Sequence, residues 1–232
     1  MCIFKTMVYR GINMDEKFMD IAIEISKNAK YPYRAIIVKD GELDMEKSDK
    51  LIKQAKIIDV FEKASASFLK EQKDLITSNV SERCWYTPFA IYLNEEIKKN
   101  NINGYYVDTE YNRNGGKLKT IFDNEKELKI IKVTCDIIVH SRGNNIKQDN
   151  LICIEMKKST AIKSTKTSDK RRVQILTKDS FDDIWSYDGK EFPKHVCRYK
   201  LGVYYEIDVR RQRAFIEYYE KGEKVKEYNI VF

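Results

Sequence analysis

The sequence predicts an α/β protein with an α-rich N-terminal extension, and three observations lead to this prediction. Residues 1–78 contain stretches with helical periodicity. Residues 79–232 begin with one helical stretch and continue as a series of short apolar runs. The part beyond residue 199 alternates between apolar and polar residues, as strands do when one face is buried. We therefore expect residues 79–232 to form a core of strands and helices, with residues 1–78 as an elaboration of it.

The N-terminal extension is predicted to contain two helices around a short strand. Apolar residues at helical spacing occupy 15–30, a strand follows at 34–38, and a turn at 39–41. Residues 44–77 contain neither glycine nor proline and predict a second helix, which is either continuous or broken near residues 65–67. Because no low-complexity linker follows, the extension is either a small domain or a part packed on the core.

The core is predicted to begin with a helix near residue 81. Ser81 is the expected N-cap, and Pro88 either kinks the helix or begins a second one with Thr87 as its cap. Strands are expected at 105–111, at 117–122 as the partner of that strand across a turn at 114–116, at 133–140 and 150–157 around a polar loop at 141–149, and at 199–208, 213–219 and 227–232. Between the strands at 150–157 and 199–208 we expect a mobile loop over 159–168 and a short helix over 169–176.

Composition sets the class of protein. A chain of 232 residues with 42% hydrophobic content can bury a core. The net charge of +7 favours acidic partners such as nucleic acid, although lysine richness without any functional cause explains it equally well. Five scattered cysteines without a C-x-x-C pair, and the lack of a signal peptide or a membrane-spanning run, predict a soluble cytoplasmic protein with no membrane partner.

Two neighbouring apolar runs carry charged residues. Asp136 lies within the run 133–140, and Glu155 and Lys157 end the run 150–157. On strands, Glu155 and Lys157 share one face, and in an antiparallel pair one register brings the face of Asp136 beside them. The ordinary alternative is that Asp136 ends a turn while Glu155 and Lys157 form an edge salt bridge.

The acid-x-lysine tripeptide is by itself a weak signal. It recurs at 71–73, 96–98 and 127–129, with an aspartate version at 188–190, all in helical or polar stretches. The copy at residues 155–157 differs because it ends an apolar run that should be buried, and a buried charge is costly unless something compensates it. Two carboxylates can hold a hard divalent cation, which activates water at a phosphate, and a lysine can stabilise the developing negative charge. The pattern thus favours metal-dependent cleavage of phosphodiesters.

The run from Cys135 to Gly143, C-D-I-I-V-H-S-R-G, and the run from Asn150 to Lys158, N-L-I-C-I-E-M-K-K, resemble the PD-(D/E)XK nuclease superfamily, especially its small bacterial members. The resemblance covers about residue 81 to the C-terminus. It implies a restriction-endonuclease-like core in the order αβββαβ, with a mixed central sheet flanked by helices. One departure is Cys135, which replaces the proline before the aspartate and leaves the acid in place.

The resemblance also implies roles for individual residues. Asp136, Glu155 and the main-chain carbonyl of Met156 would ligate Mg²⁺ or Mn²⁺, and Lys157 would orient or activate the attacking water. Glu82 would add a further catalytic acid and metal ligand from the first core helix, although a glutamate in a first helical turn is also favoured by the helix dipole. His140 is expected to be a packed residue rather than a base, and Glu110 either helps to hold metal or is an ordinary strand end.

Basic residues around these runs are candidates for contacts with nucleic acid, with a solvated charge run as the alternative. They are Arg113, Arg142, Lys158, Lys163, Lys166, Lys170, Arg171 and Arg172.

The function predicted is a Mg²⁺-dependent endonuclease, acting on DNA more readily than on RNA, in restriction, repair or phage defence. A catalytically weak nucleic-acid-binding or assembly module of the same fold is the alternative, and a purely structural α/β protein is a weaker one. The helices of residues 1–78 are expected either to pack on the core or to recruit a second copy or another protein. The chain contains no phosphate-binding loop, dinucleotide fingerprint, nucleophile elbow or H-E-x-x-H motif.

Overall fold

A computed structural model describes residues 38–39, 42–43, 45–114, 117–118, 120–123, 129–132, 134–179 and 196–232. The chain divides into two compact units, Met1–Lys56 and Ile57–Phe232. The predicted helix over 15–30 and most of the strand predicted over 34–38 lie outside the described residues, as does most of the turn predicted at 39–41. The predicted boundary at residue 78, and a docking role for the N-terminal helices, stay predictions.

The described part of the first unit begins with two short strands. Strand β1 (Val38–Lys39) pairs antiparallel with β2 (Glu42–Leu43). Helix α1 (Met45–Glu71) begins in this unit and continues into the second. It runs without a break through residues 65–67 but ends at Glu71, and a separate short helix follows at Lys73–Thr77, so the predicted segment is divided at residue 72 rather than near 65–67.

The second unit is built on a six-stranded mixed sheet with the order β12-β11-β10-β9-β8-β3. These strands are β3 (Tyr106–Thr109), β8 (Ile137–His140), β9 (Asn150–Lys158), β10 (Leu201–Asp208), β11 (Arg213–Glu220) and β12 (Glu223–Val231). Two separate pairs lie between β3 and β8 in the chain: β4 (Arg113–Asn114) with β5 (Lys117–Leu118), and β6 (Thr120–Asp123) with β7 (Lys129–Lys132). Strands β9 and β10 are parallel, and the other neighbours in the large sheet are antiparallel.

Three further helices complete the described part of this unit: α2 (Lys73–Thr77), α3 (Arg83–Lys99) and α4 (Lys163–Thr177). A short 3₁₀ helix (Ile146–Gln148) lies in the loop between β8 and β9. Helix α3 continues through Pro88, so of the two alternatives predicted there a second helix is excluded. The helix begins at Arg83, so the N-cap position falls at Glu82 rather than Ser81, and the Glu82 side chain makes no capping hydrogen bond. None of the described helices is long and apolar enough to cross a bilayer.

Each face of the large sheet carries its own apolar cluster. On one face, Phe61 of α1 and Phe89 of α3 pack on Tyr205 of β10, with the rings of Phe89 and Tyr205 5.3 Å apart. On the other face, α4 lies so close to β10 that a Cβ at Gly202 would be 2.5 Å from Val173 Cγ1. A glycine is therefore required at this crossing. Helices on both faces of a mixed sheet confirm the α/β class predicted from the sequence.

Two local predictions are wrong. In the described part of the predicted partner strand, residues 117–118 pair with β4 and residues 120–123 pair with β7, whereas β3 pairs with β8. The mobile loop predicted over 159–168 is mostly helix, because α4 begins at Lys163. Its first turns are anchored by Lys166, whose Nζ lies 2.9 Å from Glu206 Oε1 and 2.6 Å from the carbonyl oxygen of Ser159. A Ser/Thr/Lys-rich composition does not reveal such long-range anchors.

The register of the sheet positions the charged residues. Strand β8 pairs with β9 so that Ile137 lies opposite Ile154, and extending this register by one residue sets Asp136 opposite Glu155. Residues directly opposite in an antiparallel pair share a face. On the other side of β9, Lys157 pairs with Glu206 of β10. The predicted juxtaposition of the two acids thus follows from the observed register.

Candidate active site

Four residues predicted from the sequence meet around the carboxyl end of β9: Glu82, Asp136, Glu155 and Lys157. Asp136 directly precedes β8, Glu155 and Lys157 lie in β9, and Glu82 lies at the start of α3. Burial raises the pKa of Tyr86, and the charges of the three acids Asp136, Glu82 and Glu155 raise it further, so this side chain is close to all of them. The sequence pattern therefore identified residues that are close together in space.

Asp136 is held in place from two sides. Its Oδ2 accepts a hydrogen bond from the main-chain N–H of Met156 at 2.7 Å, and the Tyr86 hydroxyl donates to its carboxylate. Burial raises the pKa of Asp136 to about 6, and the hydrogen bonds from Met156 and Tyr86 and the charge of Lys157 act against this rise. A cation close to Asp136 would stabilise the charged form of this buried carboxylate.

Glu155 is almost fully buried, with a side chain only 3% exposed. Burial, together with the nearby Cys135 and Asp136, raises its pKa well above the usual range. Arg172 of α4 acts against this rise, because its Nη1 lies 2.7 Å from Glu155 Oε1. The guanidinium compensates the charge of this buried carboxylate in the protein as described.

Lys157 lies between two acids. Its Nζ is 3.0 Å from Asp169 Oδ2 and 3.5 Å from Glu82 Oε2. Burial alone would lower the pKa of Lys157, but Asp169, Glu82 and Asp136 together raise it above its ordinary value. The ammonium is therefore charged at neutral pH and fixed in position by contacts on both sides.

Glu82 joins the start of α3 to the edge of β9. Its Oε1 accepts a hydrogen bond from the main-chain N–H of Lys158 at 2.7 Å, while its Oε2 faces Lys157. Beyond Ile154, this edge of β9 has no partner in β8, so side chains of Glu82 and Asp136 take up its N–H groups. Glu82 is thus a positioning residue in the described arrangement.

Two residues of the site were not predicted from the sequence. Tyr86 lies one helical turn after Glu82, and Asp169 lies one turn before Arg172 on α4. Spacing of three or four residues on a helix places side chains on one face, so this pattern was visible in principle. What the sequence did not reveal is that the face of α4 bearing Asp169 covers Glu155 and Lys157.

Most residues predicted to contact nucleic acid have internal partners. Lys166 pairs with Glu206, Lys170 with Glu217, and Arg172 with Glu155 and Asp169. Arg171 bonds to Gln174, Lys158 to Asn79, and Arg142 forms a pair of hydrogen bonds with Asp108. Lys163 is exposed at the start of α4, and Arg113 lies in β4, its side chain outside the described part.

His140 and Glu110 lie beside the site rather than in it. His140 is buried at the far end of β8 from Asp136, with its Nε2 2.9 Å from Asp108 Oδ2 and its ring against that of Tyr111. Glu110 adopts a left-handed backbone conformation, donates its N–H to the Asp136 carbonyl and pairs through its side chain with Arg83. Neither side chain has a described contact with Glu155 or Lys157.

The donor set of the site suits a hard divalent cation. Among the described residues, no group of three or more histidine, cysteine or acidic side chains is arranged to hold a metal ion. The predicted ligands were three carboxylates and one carbonyl. Of these, Glu82 is bonded to the Lys158 N–H and faces Lys157, which leaves Asp136, Glu155 and the Met156 carbonyl. In an extended strand the N–H and C=O of one residue point to the same edge, so the carbonyl of Met156 lies on the edge that faces Asp136. Two buried acids with raised pKa values and this carbonyl match the oxygen ligands of Mg²⁺.

Comparison of the chain with protein-family models, with curated proteins and with solved structures finds no match. The function is accordingly inferred from the residues of the site.

The metal-free protein is expected to lose stability as the pH rises from about 4 to about 6. The pKa of Asp136 is about 6 in the folded protein against an ordinary 3.8, so the folded state holds this proton more tightly. The stabilisation from this proton amounts to roughly 2 to 3 kcal/mol. It is fully present below the ordinary pKa of Asp136 and is lost as the pH rises through the pKa of the folded protein. Urea unfolding of Asp136→Asn across this range should show a decline that is smaller by this amount, while Glu155, whose pKa is also raised, keeps its own contribution.

The surface variant Asp74→Asn is the matched control, because Asp74 is an exposed acid of α2. It should keep the decline seen in the wild-type protein. An identical pH dependence in the wild type and in Asp136→Asn would show that Asp136 titrates normally.

Proposed function

We propose that this protein is a Mg²⁺-dependent nuclease that hydrolyses the phosphodiester bonds of DNA on a core of the PD-(D/E)XK type. The observation that carries the proposal is the placement of Asp136 opposite Glu155, with Lys157 one step further along the same face of β9. Apart from the two short strand pairs between β3 and β8, the element order is α3, β3, β8, β9, α4, β10, and this order supports the proposal because the resemblance implies it.

Asp136, Glu155 and the carbonyl of Met156 would hold the metal. The cation would supply a bound water of lowered pKa and would offset the charge of the phosphate. Asp136 is already oriented for this role by Tyr86 and by the N–H of Met156. Because these hydrogen bonds exist before any ligand arrives, the carboxylate needs little rearrangement to bind.

Lys157 would contact the reacting phosphate or the attacking water. Its Nζ can donate three hydrogen bonds, and Asp169 and Glu82 hold it on the face shared with Glu155. A fixed positive charge close to the developing negative charge lowers the barrier more than a mobile one, because no reorganisation is needed during the reaction. Asp169 and Glu82 would thus act through Lys157 as positioning residues.

A second candidate function is a DNA-binding or assembly module with little turnover. The observation that favours it is Arg172, which already compensates the charge of Glu155 at 2.7 Å. In this reading the guanidinium takes the place of the metal ion. The two candidates differ in whether a divalent cation binds at Asp136 and Glu155.

Metal titration and plasmid nicking test the proposal together. The wild-type protein should bind Mn²⁺ in calorimetry and should convert supercoiled plasmid to the nicked form with Mg²⁺ or Mn²⁺. Asp136→Ala should lose the metal binding and the nicking, because it removes one of two carboxylate ligands. Glu95→Gln is the matched control, since Glu95 is an acid on the exposed side of α3.

Absence of both Mn²⁺ binding and nicking in the wild type would favour the module of low turnover. If the purified protein cuts neither DNA nor RNA with either metal, and Asp136→Ala binds metal as the wild type does, the nuclease proposal fails. Cleavage of RNA alone would support the proposed phosphodiester hydrolysis but would show that the substrate is RNA rather than DNA. A role in restriction, repair or phage defence remains part of the proposal.

A further inference from the structure

The turn between β10 and β11 carries three arginines in four residues. Arg210 and Arg211 lie in the turn itself, and Arg213 begins β11. We call residues 209–213 the basic hairpin. The carboxylate of Asp208 accepts a hydrogen bond from the N–H of Arg211 at 3.0 Å, which stabilises the turn that presents these side chains. The sequence predicted strands on both sides of this turn without assigning the turn a role.

A groove of about 330 Å³ lies beside the basic hairpin. Its walls include Ser159, Glu206, Asp208, Arg211, Arg213 and Asn229. The groove is open to solvent and is lined mainly by polar side chains, so it suits a hydrated, charged ligand rather than an apolar one.

The groove begins next to the candidate active site. Glu206 is the direct neighbour of Lys157 in the parallel pair of β9 and β10, and Ser159 follows β9, with its N–H bonded to the Ile207 carbonyl at 2.8 Å. Neighbouring strands are about 4.8 Å apart. Successive phosphates of one DNA strand rise by about 3.4 Å, so a strand cut at Lys157 would bring phosphates about one to three nucleotides away into this groove.

The charges of the groove leave arginines available for a ligand. Lys166 compensates Glu206 at 2.9 Å, and the contact of Arg211 with Asp208 is long, at 3.6 Å, and exposed. In the described part of the chain, neither Arg210 nor Arg213 has an ion-pair partner. The basic residues of α4 differ in this respect, because Lys166, Lys170 and Arg172 each contact an acid of the sheet.

We propose that the basic hairpin and its groove bind the phosphate backbone of DNA next to the bond that is cut. This inference rests on the proposed function for the position of the DNA, and it names a contact surface that the sequence did not suggest. The main grip on the substrate would then come from Arg210, Arg211 and Arg213 rather than from the basic face of α4.

Fluorescence anisotropy with a labelled DNA duplex tests the proposal, in EDTA so that no cleavage occurs. The test variants are the double variant Arg210→Ala with Arg211→Ala, whose residues lie in the solvent-facing turn, and the single variant Arg213→Gln. The matched control is Lys147→Ala with Lys221→Ala, which removes two exposed charges from loops at the opposite end of the sheet. Thermal unfolding confirms that each variant is folded.

The double variant should bind DNA roughly tenfold more weakly at low salt, and the slope of log affinity against log salt should fall by about 2, since two phosphate contacts are lost. Arg213→Gln should lower the slope by about 1, and the control should match the wild type. Equal binding by the hairpin variants and the control overturns the inference, even if the wild type nicks plasmid. If the wild type cuts nothing but the hairpin variants lose DNA binding, the nuclease proposal fails and the inference about the basic hairpin stands.

Discussion

Replacing Lys157 by alanine is expected to reduce plasmid nicking by about 1,000-fold while the protein stays folded. The loss is of the size seen when one group that stabilises transition-state charge is removed. The fold should survive because the two acids that contact Lys157 have other partners: Asp169 retains Arg172 at 3.2 Å, and Glu82 retains the N–H of Lys158. Binding of Mn²⁺ should persist, since Lys157 is not a metal ligand.

Single-turnover nicking and calorimetry on the same preparation measure these two effects separately. Lys98→Ala is the matched control, because Lys98 is an exposed lysine near the end of α3. A Lys157→Ala protein that nicks as fast as the wild type would remove Lys157 from the chemistry. It would leave the metal site to be judged by Asp136→Ala.

Replacing Arg172 by alanine is expected to lower the free energy of unfolding by about 3 kcal/mol, because removal of one partner leaves a buried charge uncompensated. Arg172 contacts Glu155 at 2.7 Å and Asp169 at 3.2 Å, and the side chains of both acids are no more than 5% exposed. Lys157 still compensates Asp169, so most of the loss is assigned to Glu155. Urea denaturation in EDTA measures it.

Two further measurements show whether Glu155 is the cause. The double variant Arg172→Ala with Glu155→Gln should recover most of the lost stability, because the uncompensated charge is gone. Mn²⁺ should stabilise Arg172→Ala more than the wild type, because a bound cation replaces the guanidinium. A loss of stability that neither the second substitution nor Mn²⁺ restores would point to packing of the arginine stem instead.

Helices and strands of the core were largely predictable from local pattern. The apolar runs at 150–157, 199–208 and 213–219 correspond to β9, β10 and β11 because buried strands need such runs wherever they pair. Helix α1 also covers most of its glycine- and proline-free segment, and α2 covers the end of it. The partner of β3 was not predictable. Strand β8 lies about 30 residues further along the chain, and a nearer segment was the simpler candidate. Which of the two pairs with β3 depends on how each is buried, and local sequence pattern does not contain that information.

The candidate site divides in the same way. Asp136, Glu155 and Lys157 stood out by themselves, because charged residues at the ends of apolar runs are costly without compensation. Only the tertiary structure decided what compensates them: Tyr86, Asp169 and Arg172 reach the site from two helices, and Lys166 and Lys170 pair with acids of the sheet. Local sequence determines which residues a strand or helix presents on each face. Which charges meet depends on how those faces pack, so only the fold separates the basic residues used internally from those left to bind a ligand.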